Sequence, residues 1–249
     1  MLPLIANARN SRTSFRMRDI LPLAPSIGNV TIVSTTRALL VLASASPARL
    51  KTLRAAGVEP EVLVSGVDES TVDAVDADVL SGTLARLKAE AVAVRLRLHA
   101  PPAGVNGDGY RRLVLGCDSV LAFDGAILGK PADAEDARKR WHAMRGREGV
   151  LHTGHCVVDA ETNELHERVA RTTVRFADVS DAEVDAYLAT GEPLHVAGAF
   201  TIDALGGWFV AGIDGDPGTV VGLSLPLLRE LLGAHGVTVP DLWAARVEA

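Results

Sequence analysis

Three observations predict that this 249-residue chain folds as one α/β unit. From Ala38 to Met144 short apolar runs alternate with stretches of helical spacing, and beyond Val150 the pattern is mostly extended. No composition break deep enough to mark a linker follows residue 38. Hydrophobic residues make up 48% of the chain and charged ones 22%, which supplies a large core and excludes disorder as the main state. The apolar runs end well short of the roughly 18 residues that a spanning helix needs, so a membrane protein is not expected.

The elements follow in order. Ala38–Ala43 is an apolar run of the kind that forms a buried strand. Ser46 is placed as an N-cap, Pro47 at the first helical position and Gly57 past the last turn, which predicts a helix over 48–56. A strand at Glu61–Val64 leads to the acidic turn Val67-Asp68-Glu69, and a helix is predicted from Ser81 to Leu98. His99–Gly109, rich in Gly and Pro, reads as a surface loop. Leu113–Phe123 is a buried strand that turns at Asp124-Gly125 and returns through Ile127-Leu128 to Gly129-Lys130-Pro131. Asp133 caps a helix over Ala134–Met144. Two strands, Val150–Val158 and Leu165–Phe176, flank a polar turn at Glu161–Glu164. Ser180 and Glu183 form a capping box for a short helix that stops at Gly191. Further strands are expected at Val196–Ile202 and Trp208–Ile213, then a helix from Gly222 to Leu232.

The net charge is −6, and residues 1–37 carry five arginines against the single acid Asp19, so the body is more acidic still. An acidic body argues against nucleic acid as the partner and implies that any anionic ligand is held by a few local cations. The Arg-rich first 37 residues read either as a transit-type targeting segment or, more plainly, as a disordered or mis-assigned start with Met17 as an alternative beginning; residues 38–249 are the folded domain. Two cysteines, Cys117 and Cys156, form no disulfide framework and no C-x-x-C motif, which fits a reducing, cytoplasmic setting.

Four places carry candidate chemistry. Ser44-Ala45-Ser46-Pro47-Ala48-Arg49 gathers hydroxyls, backbone N–H groups and a guanidinium where a strand meets a helix N-terminus, which is an anion-binding arrangement unless Ser46 merely caps the helix. Asp118 interrupts the apolar strand, and a buried carboxylate there needs pairing, a metal, or catalytic duty, unless the strand simply bends out of the core. Lys88 and Lys130 are two of only four lysines among 25 basic residues, a hint that a compact ammonium is wanted, although a mid-helix lysine is often only solvated. Asp68-Glu69 with Asp118 could hold a divalent cation. The seven histidines show no metal-ligand spacing.

Taken in order, Leu39–Arg49, Val67-Asp68-Glu69, Lys88, Gly116-Cys117-Asp118-Ser119, Leu128–Pro131, Thr153-Gly154, Thr190–Pro193, Ala197–Phe200 and Val220–Leu223 resemble the Maf family of nucleoside triphosphate pyrophosphatases, within the inosine-triphosphatase-like superfamily. The resemblance covers residues 38–235, and its tail is similar to actinobacterial members. It implies a long twisted mixed sheet with flanking helices in two lobes around a cleft, usually in a homodimer. It also implies hydrolysis of a nucleoside triphosphate to the monophosphate and pyrophosphate with Mg²⁺ or Mn²⁺, a house-cleaning role, Asp118 as proton acceptor, and Glu69 with Asp118 as metal ligands. Arg49, Lys88 and Lys130 would clamp the phosphates, Ser44 and Ser46 would donate to them, and Ser119 and Asp203 would face the substrate. Ala48, Ser119 and Asp203 stand where pyrimidine-selective members have Arg, Thr and Gln, and Thr219 where an Asn is frequent; the resemblance would thus set an aspartate that only accepts hydrogen bonds toward the base. A nucleotide-binding regulator of septum formation is the alternative from another class. A relative acting on purine triphosphates fits the Ser-Ala-Ser-Pro-Ala-Arg turn less well.

Overall fold

Three long strands carry the architecture. The computed structural model describes residues 38–74, 76–99 and 110–244. Among them, β3 (Arg111–Phe123), β5 (Glu148–Asp159) and β6 (Leu165–Phe176) have 13, 12 and 12 residues, each about 40 Å long at roughly 3.3 Å per residue. They form the centre of a seven-stranded mixed sheet. β1 (Ala38–Leu42) lies parallel to β3 on one side and to the two-residue β2 (Glu61–Val62) on the other. β5, β6 and β7 (Val210–Asp214) follow antiparallel, and the hairpin strand β4 (Ala126–Leu128) pairs with the far end of β3. Asp124 and Gly125 both take positive φ (51° and 78°) in that hairpin turn, as the sequence pair suggests.

The strands are long enough to serve two cores. At one end Leu113, Leu115, Cys117 and Val157 pack under α6 (Leu225–Ala234) and α7 (Val239–Ala244). At the other, Leu121, Phe123, Leu151 and Phe176 join α3 (Ala134–Met144) and α4 (Asp181–Ala189) around Trp141. Trp141 meets Phe176, Tyr187 and Phe209 edge-to-face at 5.7–5.8 Å and donates its indole N–H to Ala199 O at 2.8 Å. Most of the scarce aromatic residues are thus spent on this second core. Asp118 and Ser119 lie between the two.

α2 (Ala77–Leu98) covers the opposite face of the sheet from α6, packing Ala85, Ala89, Val92 and Ala93 against Val114, Cys156 and Val158. Gly116 and Gly154 set how closely it lies: a Cβ on either would come within 2.1 Å of the α2 carbonyl oxygens of Ala85 and Ser81 respectively. α1 (Pro47–Ala55) starts as predicted, with Ser46 Oγ accepting from Arg49 N. α4 has the complete capping box of Ser180 and Glu183.

Several predicted elements differ. α2 begins at Ala77 under an Asp76 cap, and Ser81 lies inside it, donating its hydroxyl to Ala77 O. β2 is half the expected length, and β7 starts at Val210 because Leu205–Phe209 is a 3₁₀ turn. Val196–Ile202 is not a strand. Gly198 and Ala199 have positive φ (70° and 59°), which no strand accommodates, and the run forms 3₁₀ turns whose apolar side chains fill the second core. The helix expected from Gly222 to Leu232 begins only at Leu225, as α6 under the Ser224 cap, and a short helix not expected from the sequence, α5 (Pro217–Val221), precedes it and ends at left-handed Gly222 (φ 109°). Most of the predicted 99–109 loop and all of residues 1–37 lie outside the described residues.

Candidate active site

Whereas Asp68 caps the turn that carries Glu69, nine of the residues singled out from the sequence, from Ser44 to Asp203, line one cleft of about 850 Å³ where the two cores meet. Its floor is β3, and the alternation of a strand sends neighbouring side chains to opposite faces. Asp118 points to the α2 face and Ser119 to the face of α1 and α5.

On the α2 face, Lys88 rises from the helix where Gly116 lets it lie close. Its Nζ is 2.6 Å from Asp118 Oδ1 and 2.6 Å from Glu69 Oε1, so two carboxylates share one ammonium. Lys88 and Asp118 are both 7% exposed, whereas Glu69, in the 3₁₀ turn 69–71 capped by Asp68, is open to solvent. Burial pushes the Asp118 carboxyl above its ordinary range and Glu69 adds to the rise, against the opposing pull of Lys88 and Arg49. Burial raises Glu69 too, but Lys88, then Lys130 and Arg49, outweigh it and hold that carboxyl below its ordinary range. The same ammonium therefore faces two carboxyls that shift in opposite directions from their ordinary ranges.

On the other face the guanidinium of Arg49, 8% exposed, is fixed at three points. Nε donates to Gly222 O at 2.8 Å, Nη1 to Ser44 Oγ at 3.0 Å and Nη2 to Ser119 Oγ at 3.1 Å. Ser119 Oγ is in turn 2.9 Å from Thr153 Oγ1, which donates to Thr219 O at 2.8 Å. These acceptors are neutral, so a buried positive charge is oriented without a contacting carboxylate among the described residues. The Ser44–Ser46 turn is partly consumed in building this arrangement. Ser46 N donates to Ser44 Oγ at 3.2 Å, and the Ser46 hydroxyl serves as the helix cap.

At the rim Lys130 is exposed and close enough to act electrostatically on Glu69. Asp203 is half-exposed and pairs with Lys51 at 3.6 Å. Sequence reasoning gave no role to Lys51, nor to Thr153 and Glu192, although the last two lie within motifs of the resemblance. The Glu192 carboxylate accepts from Thr201 Oγ1 at 2.6 Å, Tyr187 O–H at 3.0 Å, and the backbone N–H groups of Leu205 and Gly206 at 3.2 and 3.0 Å. It thereby fixes the segment that presents Thr201 and Asp203 to the cleft. A Glu after a helix-terminating Gly was the available signal. His155, read as a strand-face residue, is buried and accepts from Ser224 N at 2.9 Å; burial pushes its pKa down to about 4. Cys117, beside Asp118, is buried with its thiol pushed up to about 11, so it is inert at neutral pH.

A mixed α/β sheet whose central strand sets a buried carboxylate and ammonium on one side of a cleft and an oriented guanidinium on the other is built to receive an anionic ligand. The particular family follows from comparison: residues 39–235 match the family described as Maf-like protein, and the chain belongs to it. It is 64% identical over 205 residues to a nucleoside triphosphate pyrophosphatase of Salinispora tropica, covering 82% of this chain and 87% of that one. It is 54% identical over 208 residues to a protein of the same name from Streptomyces coelicolor, covering 84% and 96%. A Cutibacterium acnes protein of that name is 51% identical over 205 residues, covering 82% and 93%.

Proposed function

We propose that the protein hydrolyses nucleoside triphosphates between the α- and β-phosphates, releasing a monophosphate and pyrophosphate, as a house-cleaning enzyme. The observation that carries this reading is Asp118: a carboxylate of raised proton affinity on the floor of a cleft that also holds the fixed charge of Arg49. Asp118 accepts the proton of a water directed at the α-phosphorus, and Lys88, 2.6 Å away, holds the carboxylate in place and offsets the charge that builds up as the phosphoryl group is attacked. Arg49 and Lys130 bind the phosphate chain from the floor and the rim, with Ser44 and Ser46 beside them.

Glu69 and Asp118 suit a hard divalent cation, Mg²⁺ or Mn²⁺, because both present oxygen ligands that already converge on one cationic atom. Such an ion, bound there with the triphosphate, would neutralise phosphate charge and polarise the reacting phosphoryl oxygens. Lys88 would then shift toward the substrate. Asp203 accepts but does not donate, which favours a base edge that presents N–H groups, with Lys51 as its competitor. The same reading expects a cytoplasmic protein and a homodimer, the latter tested by light scattering of the purified chain.

Pyrophosphate release across a panel of common and modified nucleoside triphosphates, with Mg²⁺, Mn²⁺ or EDTA, tests the proposal. Metal-dependent release is expected. Binding of nucleotide without turnover over the whole panel would favour the nucleotide-binding regulator.

A further inference from the structure

Away from the cleft, Glu164, His166 and His235 bring three potential metal-ligand atoms within 4.8 Å of one another. Glu164 ends the β5–β6 turn, His166 is the second residue of β6, and His235 is the C-cap of α6. His166 pairs in register with Val157 on the α6 face of the sheet. It lies three residues along β6 from the partner column of Asp118, about 10 Å along the strand, and on the opposite face.

The decisive atom is His235 Nδ1. The ring is 4% exposed, and its Nε2 is 3.1 Å from Val157 O. A carbonyl only accepts, so Nε2 carries the proton and Nδ1 presents a lone pair. Among the described residues Nδ1 is the buried side-chain polar atom left without a hydrogen-bond partner. The lone pair faces Glu164 Oε2 at 3.9 Å, too far for a hydrogen bond, and Glu164 Oε1 is 3.2 Å from His166 Nε2. The two rings stand edge-to-face with centroids 4.6 Å apart. Donation of the second ring N–H to a backbone carbonyl is the usual outer-shell arrangement of a metal-bound histidine. Arg111 also reaches Glu164 Oε2 at 3.9 Å, but it is engaged by Asp159 and by the His235 carbonyl, leaving Glu164 able to face an ion.

We propose that Glu164, His166 and His235 bind a Zn²⁺-class divalent ion through two imidazoles and one carboxylate, with water in the fourth position. Ligand atoms around tetrahedral Zn²⁺ are about 3.3 Å apart, so closure needs only small rotations of the two side chains nearer solvent, Glu164 and His166. The ion ties the end of α6 to the start of β6 and takes no part in catalysis. Two imidazoles set its preference apart from the all-oxygen pair of the cleft.

The test uses the full chain, stripped with chelator and held in excess Mg²⁺, titrated with Co²⁺ and followed by the visible absorption of tetrahedral cobalt, then by displacement with Zn²⁺. One equivalent is expected to bind, and Asp118→Asn is expected to leave binding unchanged. His166→Ala and Glu164→Gln are expected to weaken it about 100-fold or more while retaining Mg²⁺-dependent turnover. Zn²⁺ at 100-fold excess over Kd should raise the wild-type Tm by about 5 °C and leave that of His166→Ala unmoved. Folded wild type that binds no Co²⁺, or His166→Ala that binds it as tightly, would overturn the proposal.

Discussion

Asp118 and Ser119 are adjacent in sequence and line the same cleft, yet each belongs to a chemically different wall. On the Asp118 side the design is ionic: two carboxylates around one buried ammonium, brought together because Gly116 and Gly154 let α2 lie against the sheet. On the Ser119 side a guanidinium is spread over two hydroxyls and a carbonyl, all neutral. The difference teaches how one strand supplies two functions. Burial on one side raises a group's affinity for a proton, while on the other it orients a positive charge without cancelling it. An anionic substrate that bridges the two walls meets a base and a clamp fixed by the pleat of a single strand.

That comparison can be broken from either wall, beginning with the largest effect. Asp118→Asn keeps the size of the side chain and removes the base, and kcat for pyrophosphate release is expected to fall about 10³-fold with the circular dichroism and Tm near wild type. In the unmodified protein the acid limb of kcat/KM should lie above the ordinary carboxylate range, because the Asp118 pKa is raised and activity is lost as pH falls through it. Lys88→Met strands a buried carboxylate. About 3 kcal/mol of stability should be lost in denaturant unfolding, and the acid limb should move to still higher pH, since the ammonium is what held the pKa down. Gly116→Ala changes no charge at all. Its Cβ would press on Ala85 O, so about 2 kcal/mol of stability should go, with α2 and Lys88 displaced from Asp118. Arg49→Lys sharpens the other wall: one ammonium cannot reach Gly222, Ser44 and Ser119 together, and KM should rise about tenfold while the acid limb stays nearly in place.

The walls were unequally legible in the sequence. Asp118 announced itself because a carboxylate in an apolar strand is conspicuous, and the Ser44–Arg49 turn did so through its cap and proline. Glu69 and Asp118 were expected together; what could not be read was that the Lys88 ammonium would sit between them. Glu69, Lys88 and Asp118 are separated by tens of residues, and only the packing of α2 on Gly116 and Gly154 brings them within 2.6 Å contacts. The same limit applies to Glu164, His166 and His235, whose spacing matches no metal motif because the third ligand arrives on a different element. Val196–Ile202 misled for a local reason. Its apolar run signals burial, which is correct, but burial does not distinguish a strand from a turn threaded into a core, and the positive φ of Gly198 and Ala199 decided the matter. The helix predicted from Ser81 begins four residues earlier, at Ala77, because Asp76 caps it.

The most direct test of the account is the fate of labelled water. A single turnover of a nucleoside triphosphate in H₂¹⁸O, with the products separated by mass spectrometry, reports which phosphorus is attacked. Label confined to the nucleoside monophosphate, and absent from it when Asp118→Asn is used under the same conditions, is the predicted result. Label in the pyrophosphate, or release of orthophosphate, would mean that the cleft directs water elsewhere and that Asp118 does not face the α-phosphorus.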